Sequence, residues 1–324
     1  MASEMMAKHS VLIVGAGKIG AFFDVPQSES VLTHAHAFTQ NIDFVLEGFL
    51  DPDQDQALRA ANLWGAKTFN SLASAFSQGA IDVVVVATPD ETHYSLLRDL
   101  AEYPVKLVFA EKPLARSRAE AESLVHLYRE KGIGLGVNYS RRFVPAFSMM
   151  RETIATGKLG SYLSGTGYYG KGTLHNGSHM IDLLRLLLGE PTEIMTLHAN
   201  RDWNDDDPTC SAYLKIAGGQ FSLQGVDCRH FTIFEMDLLF ENGRVRIVNS
   251  GAEIEIYEVV DSQIFAGYRV LSDVQTIKVD LGAALPAAVE NIRGYLTAGA
   301  SILSTGEDAL RTISICTDIA GGLR

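Results

Sequence analysis

Ten residues near the start, VLIVGAGKIG at 11–20, constrain this chain most. A continuous apolar run ends in Gly15, Gly17 and Gly20. Such a run reads as a strand buried on both faces, and the glycines after it divide three tasks. Gly15 permits a tight turn, Gly17 lets backbone come close to a phosphate, and Gly20 lets the following helix pack against the strand. The helix N-terminus then presents unpaired N–H groups and partial positive charge. A lone GxGxxG is not specific. Here it follows the first strand of an alternating pattern, and that context points to a dinucleotide held by Gly15, Gly17, Lys18 and Ile19.

The alternation runs to about residue 138. Apolar runs in DFVLEGFLDPD, AKTFNS, IDVVVVATPD, VKLVFAEKP and GIGLGVNYS are separated by helical patterns at about 53–63, 71–78, 92–101 and 117–131. The last opens on Ser117 and Glu120, spaced as a capping box. Continuous rather than alternating apolarity marks a parallel sheet covered on both sides. The expectation is a doubly wound α/β domain of the Rossmann type over residues 1–138.

Asp51 ends the second strand. A carboxylate there accepts hydrogen bonds from ribose hydroxyls and repels a 2′-phosphate, so NAD is expected over NADP. Alternatively, Asp51 before Pro52 caps the next helix. From Gly20 to Asp51 is 31 residues, whereas about 20 usually span the whole fingerprint. Pro26 cannot sit inside a helix, so AFFDVPQSES interrupts the first helix and SVLTHAHAF resumes it. The inserted dozen residues read either as a lid shaping a substrate site or as a surface elaboration. His34 and His36, two apart on a helix, face different ways and do not read as a metal pair.

After residue 139 the pattern changes. Helices are expected at about 145–156 and after Gly177. Strands follow at 192–201, 209–217, 220–227, 231–240, 244–249, 252–258 and 267–279, with Asn242-Gly243 as a hairpin signal. Helix returns over 283–322, its last segment opening at Thr305–Asp308. Residues 139–324 are thus expected to form an α+β domain with one large, open, mostly antiparallel sheet. It would bind substrate and, through a bare apolar sheet face, assemble a homodimer or homotetramer.

Composition narrows the partners. Net charge is −12, which disfavours nucleic acid and anionic membranes. Cys210, Cys228 and Cys316 are far apart and form no CxxC pair, so reduced thiols in a cytoplasm are expected, without a metal. MASEMMAKHS has no apolar core of a secretory leader. The four aspartates of RDWNDDDPT lack ordered cation-ligand spacing.

The glycine loop, IDVVVVATPDETH and LVFAEKPLA together resemble the glucose–fructose oxidoreductase and inositol dehydrogenase (Gfo/Idh/MocA) family. VNYSRRFVP, IATGKLGS and GSHMIDLLRLLLGEP extend the likeness to about residue 191. The resemblance implies an NAD-dependent dehydrogenase acting on a CH–OH group of a sugar, polyol or nucleotide sugar. It implies that Lys112 contacts the reacting oxygen and that His179 is the general acid/base. Thr88, Pro89 and His93 would lie by the cofactor, and Glu111 would either orient Lys112 or bind cofactor. Pro113 would fix the turn, and a cis bond is available to it. Tyr139, Arg141 and Arg142 would bind substrate or the cofactor's outer face, or form a charged linker. Asp182 would orient His179 or pair with Arg185.

There is one departure. The family usually has Asp four residues before the histidine; here that position is His175, followed by Asn176. Either could meet substrate. The change keeps open a non-catalytic NAD sensor, and an imine reductase is a third reading of the same scaffold.

Overall fold

The computed structural model describes residues 8–322. The opening residues, on which the reading of no leader partly rests, lie outside them. The chain clusters into two compact units. One comprises residues up to Phe143 together with Gly282–Leu310; the other comprises Val144–Leu281 and the residues from Arg311 onward.

The first unit is built on six parallel strands: β1 (His9–Val14), β2 (Phe44–Leu50), β3 (Lys67–Phe69), β4 (Val83–Val86), β5 (Leu107–Ala110) and β6 (Gly134–Val137). Their order is β3-β2-β1-β4-β5-β6, the Rossmann arrangement with its switch point between β1 and β4. Helices α1 (His34–Gln40), α2 (Gln54–Trp64), α3 (Leu72–Ser77), α4 (Asp90–Leu100) and α5 (Arg118–Lys131) connect them. The VVVV of β4 is wholly buried, as its unbroken apolarity requires.

Local signals set the helix starts with two differences from expectation. Asp53, not Asp51, caps α2 by accepting the N–H of Gln56. Ser117 accepts the N–H of Glu120, and the reciprocal box is formed instead by Ser71 and Ser74 at α3. Thr305 and Asp308 exchange bonds at the start of the last helix, as their spacing predicts.

A single cut after residue 138 does not describe the packing. The helix Ala284–Ala298 places Leu285, Ala288, Val289 and Ile292 in one core with Val11, Ile13, Phe109 and Phe143. Each such Leu, Val, Ile or Phe side chain taken from water contributes roughly 1.5–3 kcal/mol.

The second unit begins with α6 (Pro145–Ala155), β7 (Tyr162–Tyr169) and α7 (Ser178–Leu188), and continues with β8 (Glu193–Asn204), β9 (Asp207–Ile216), β10 (Gly219–Gly225), β11 (Phe234–Phe240), β12 (Gly243–Val248), β13 (Glu253–Asp261), β14 (Arg269–Leu271) and β15 (Gln275–Lys278). These make a nine-stranded sheet in the order β14-β13-β12-β11-β7-β10-β9-β8, with β15 on β13. It is mostly antiparallel; β10 and β7 run parallel. Strand β7, near its centre, is absent from the sequence reading, and the expected 267–279 strand is two short ones. Phe240 pairs with Gly243, so the hairpin turns on Glu241 and Asn242.

One sheet face is covered by α7, whose Met180 Sδ would lie 3.0 Å from a Cβ on Gly167 of β7. The other face is not a bare apolar surface. Register places Asp237, Arg244, Arg246 and Glu255 side by side there, and Asp237 pairs with Arg244 and Glu255 with Arg246. Tyr168 and Met195 are exposed among them. Among the described residues, no helix is long and apolar enough to cross a membrane.

Candidate active site

The glycine loop leaves β1 at the switch point. Gly15 has φ +98°, and a Cβ there would lie 2.5 Å from the Ala87 carbonyl oxygen. A Cβ on Gly20 would lie 2.2 Å from the Gly15 oxygen, while one on Gly17 would meet nothing within 4 Å. Two glycines are therefore demanded by packing, and the third opens the backbone to a ligand. The helix that follows is one wide turn, Lys18–Phe22, held by a bond from Trp64 Nε1 to the Ala21 oxygen at 2.9 Å. Lys18 is exposed, and Ile19 packs on the core.

Asp51 lies at the end of β2 and is nearly buried. Its carboxylate accepts the N–H of Ala16 at 2.8 Å and that of Asp53 at 2.9 Å. It thus ties the glycine loop to the neighbouring strand. Gly15, Gly17, Asp51, Thr88 and Pro89 line one cavity of about 800 Å³. An open Gly17 beside a carboxylate at the end of the neighbouring strand fits a dinucleotide.

Lys112 and Glu111 follow β5, and both are half-buried. The Lys112–Pro113 peptide is cis. Glu111 Oε1 receives His34 Nε2 and Asn138 Nδ2, each at 2.8 Å. A carboxylate only accepts, so His34 carries its proton on Nε2. Burial pushes the Glu111 pKa up; the bonds and charge of His34, the bond from Asn138 and the Lys112 ammonium outweigh it and hold the carboxyl below its ordinary value.

His93 is fully buried. Its ring nitrogens meet the carbonyls of Pro113 at 2.7 Å and Thr88 at 2.9 Å, bracing one cavity-lining loop against the lysine turn. Tyr139 is buried as well. Arg142 is buried with Asp308 at 3.3 Å and the Leu303 oxygen at 3.4 Å, engaged with the chain's own tail.

The inserted residues are anchored through Asp24. Its carboxylate accepts the Leu32 N–H at 2.6 Å, the Thr33 hydroxyl at 2.5 Å and His36 Nδ1 at 2.7 Å. His34 and His36 therefore serve different carboxylates.

In the second unit, His179 is the second residue of α7 and half-buried. The preceding wide turn, Gly172–Gly177, carries His175 and Asn176. Asp207 of β9 accepts the N–H groups of Leu174 and His175 at 2.8 and 2.9 Å. The His175 ring stacks on Trp203 with centroids 5.2 Å apart, and Asn176 donates to the Gly170 oxygen at 2.9 Å. Asp182 pairs with Arg185 at 3.6 Å and accepts the Thr312 hydroxyl at 3.2 Å. Of the aspartates at 202–207, Asp202 accepts the Cys228 N–H and Asp207 holds the His175 turn.

Residues 9–139 match the Gfo/Idh/MocA family, described as an oxidoreductase family with an NAD-binding Rossmann fold. With the strand order and glycine geometry above, this decides the assignment. Residues 9–139 belong to the Gfo/Idh/MocA family.

Among relatives, rhizopine catabolism protein MocA of Rhizobium meliloti is 28% identical over 204 residues, 58% of this chain and 60% of that one. Inositol 2-dehydrogenase of Rhizobium meliloti (strain 1021) is 29% identical over 150 residues, 46% and 41% of the two chains. The matched stretch thus spans about half the length of these relatives. An oxidoreductase from Agrobacterium radiobacter, solved with NAD+, L-tartaric acid and magnesium, superposes with a TM-score of 0.75 at 17% identity, covering 98% of this chain and 96% of that one. That likeness is one of fold, and it covers the residues of both units.

The residues missed from sequence are His34, Asn138, Asp24 and Asp207. The partners of His34, Asn138 and Asp207 lie far away along the chain, 77 residues in the case of His34 and Glu111, whereas those of Asp24 lie just past the insertion. The only local hint was the histidine pair itself.

Proposed function

We propose that this chain is an NAD-dependent dehydrogenase that interconverts a carbinol and a ketone on a polyol, sugar or nucleotide sugar. The observation that carries the reading is the cavity of the first unit, where an open Gly17 and the Asp51 carboxylate lie on one wall with Thr88 and Pro89. Bound there, NAD supplies the hydride acceptor. Gly15, Gly17, Lys18 and Ile19 hold its phosphates, and Asp51 accepts from its ribose. Among the described residues no lysine or arginine lines this cavity, which favours a ribose without a 2′-phosphate. The NAD+ complex of the Agrobacterium radiobacter neighbour and the inositol 2-dehydrogenase relative support the cofactor and the polyol class.

The chain's own groups manage one proton. Lys112 hydrogen-bonds and polarises the reacting oxygen, with Glu111 as its neighbouring counter-charge. His179 exchanges the proton. His175 and Asn176 contact substrate hydroxyls, His175 taking the place of the family's aspartate. Tyr139 and Arg142, in the segment after β6, bind substrate as well. The first unit binds nucleotide, and the second binds substrate and assembles a homodimer or homotetramer through its polar and aromatic sheet face.

The test is to incubate the protein with NAD and a panel of inositols, sugars and nucleotide sugars, and NADH with the matching ketones, while following NADH absorbance. Turnover on one substrate class is expected. Tight NAD binding with no turnover in either direction would sink the reading in favour of a sensor.

A further inference from the structure

We infer that His34 is a positioning residue for the Glu-Lys-Pro turn, acting on Lys112 through Glu111. The inference rests on the dehydrogenase reading above and adds to it a residue outside the family's motifs.

His34 is fully buried and does not line the cofactor cavity. Its Nε2–H donates to Glu111 Oε1 at 2.8 Å. Among the described residues its Nδ1 has no hydrogen-bond partner, and the polar commitment of the ring is to Glu111. The ring also stands edge-on to Phe109 of β5, centroids 5.9 Å apart at 80°. It is thereby held against the strand that delivers the lysine.

Three groups set the Glu111 carboxylate: His34 from α1, Asn138 after β6, and Lys112 in its own turn. Two donors share Oε1. That fixes the carboxylate plane and keeps it ionised beside Lys112.

The anchorage of His34 explains the insertion. Thr33 caps α1 by accepting the His36 N–H, and its own hydroxyl donates to Asp24. Asp24 also takes His36 Nδ1 and the Leu32 N–H. The inserted segment folds back on α1 at the turn where His34 begins, and so sets where that ring lies. It acts as a brace for the lysine turn.

The test compares wild type with H34Q, whose amide can still donate to Glu111, and with H34L and H34N, which lack the donor or the reach. H34N keeps a polar side chain and carries the test should H34L not fold. On the substrate that the wild type turns over, kcat should fall about ten- to a hundredfold in H34L and H34N, the scale of a misplaced catalytic group. The Kd for NADH should stay within about twofold, and H34Q should recover most of the rate.

Independently of turnover, the 13C-carboxyl titration of Glu111 should move up in H34N and return in H34Q. Wild-type kcat in H34N, equal impairment in H34Q, or an unmoved Glu111 titration would each overturn the inference and leave the dehydrogenase reading standing. An inactive wild type would overturn that reading, while the carboxyl titration would still decide whether His34 sets Glu111.

Discussion

The Asp51 carboxylate accepts the backbone N–H of Ala16, 2.8 Å away, from the end of the neighbouring strand. One residue thus holds the phosphate turn in shape and presents a negative charge at the same cavity wall. D51A should therefore weaken two things together. Loss of charge-assisted bonds to buried N–H groups should cost about 1.5–3 kcal/mol in urea denaturation, and NADH affinity by fluorescence titration should drop about tenfold or more. Unchanged affinity in a folded D51A would remove Asp51 from the cofactor site.

The glycines separate folding from binding. At Gly17 an added Cβ meets nothing and φ is −82°, so G17A should fold with stability within about 0.5 kcal/mol of wild type. Its NADH affinity should nevertheless fall about tenfold, because the methyl takes the ligand's room. G20A would set a methyl 2.2 Å from a backbone oxygen and should cost about 1–3 kcal/mol. Thermal unfolding and NADH titration of the pair would check the contrast; a G17A that binds normally would contradict it.

Acid should loosen the insertion. Burial raises the Asp24 pKa, but bonds from Leu32, Thr33 and His36 outweigh it and leave the carboxyl below its ordinary value. A depressed folded pKa means the stabilisation is complete above the unfolded-state pKa of about 3.9 and drains as pH falls through the lower folded value. D24N should be less stable than wild type near neutrality by about 1–3 kcal/mol, with the gap closing below about pH 4. Urea midpoints from pH 3 to 7 would show it; a constant gap would mean that Asp24 titrates alike in both states.

Much of this fold is legible in sequence where the cause is local. Gly15, Gly17 and Gly20 lie within one turn, the VVVV of β4 can only be a doubly buried strand, and Thr305 and Asp308 meet their own neighbours. What escaped depends on residues distant in sequence. In β7 a Cβ on Gly165 would lie 2.7 Å from the Asp237 oxygen, and one on Gly167 2.7 Å from the Phe221 ring. Those glycines read as loop until the strands and rings beside them are known. The helix 284–298 is visibly amphipathic, yet nothing in its pattern says which core receives it. Asp51 was legible as an acidic strand end; its bond to Ala16, like that of His34 to Glu111, exists only once strands and helices are side by side.

In the proposed reaction Lys112 and His179 carry the proton for a hydride transfer to NAD. The most direct measurement is the single-turnover rate of NADH formation for wild type, K112M and H179A on the substrate found in the panel, with NADH affinity measured alongside. Each substitution should slow the step by about a hundredfold or more while NADH binding stays within about threefold. A wild-type rate in either variant would contradict the account.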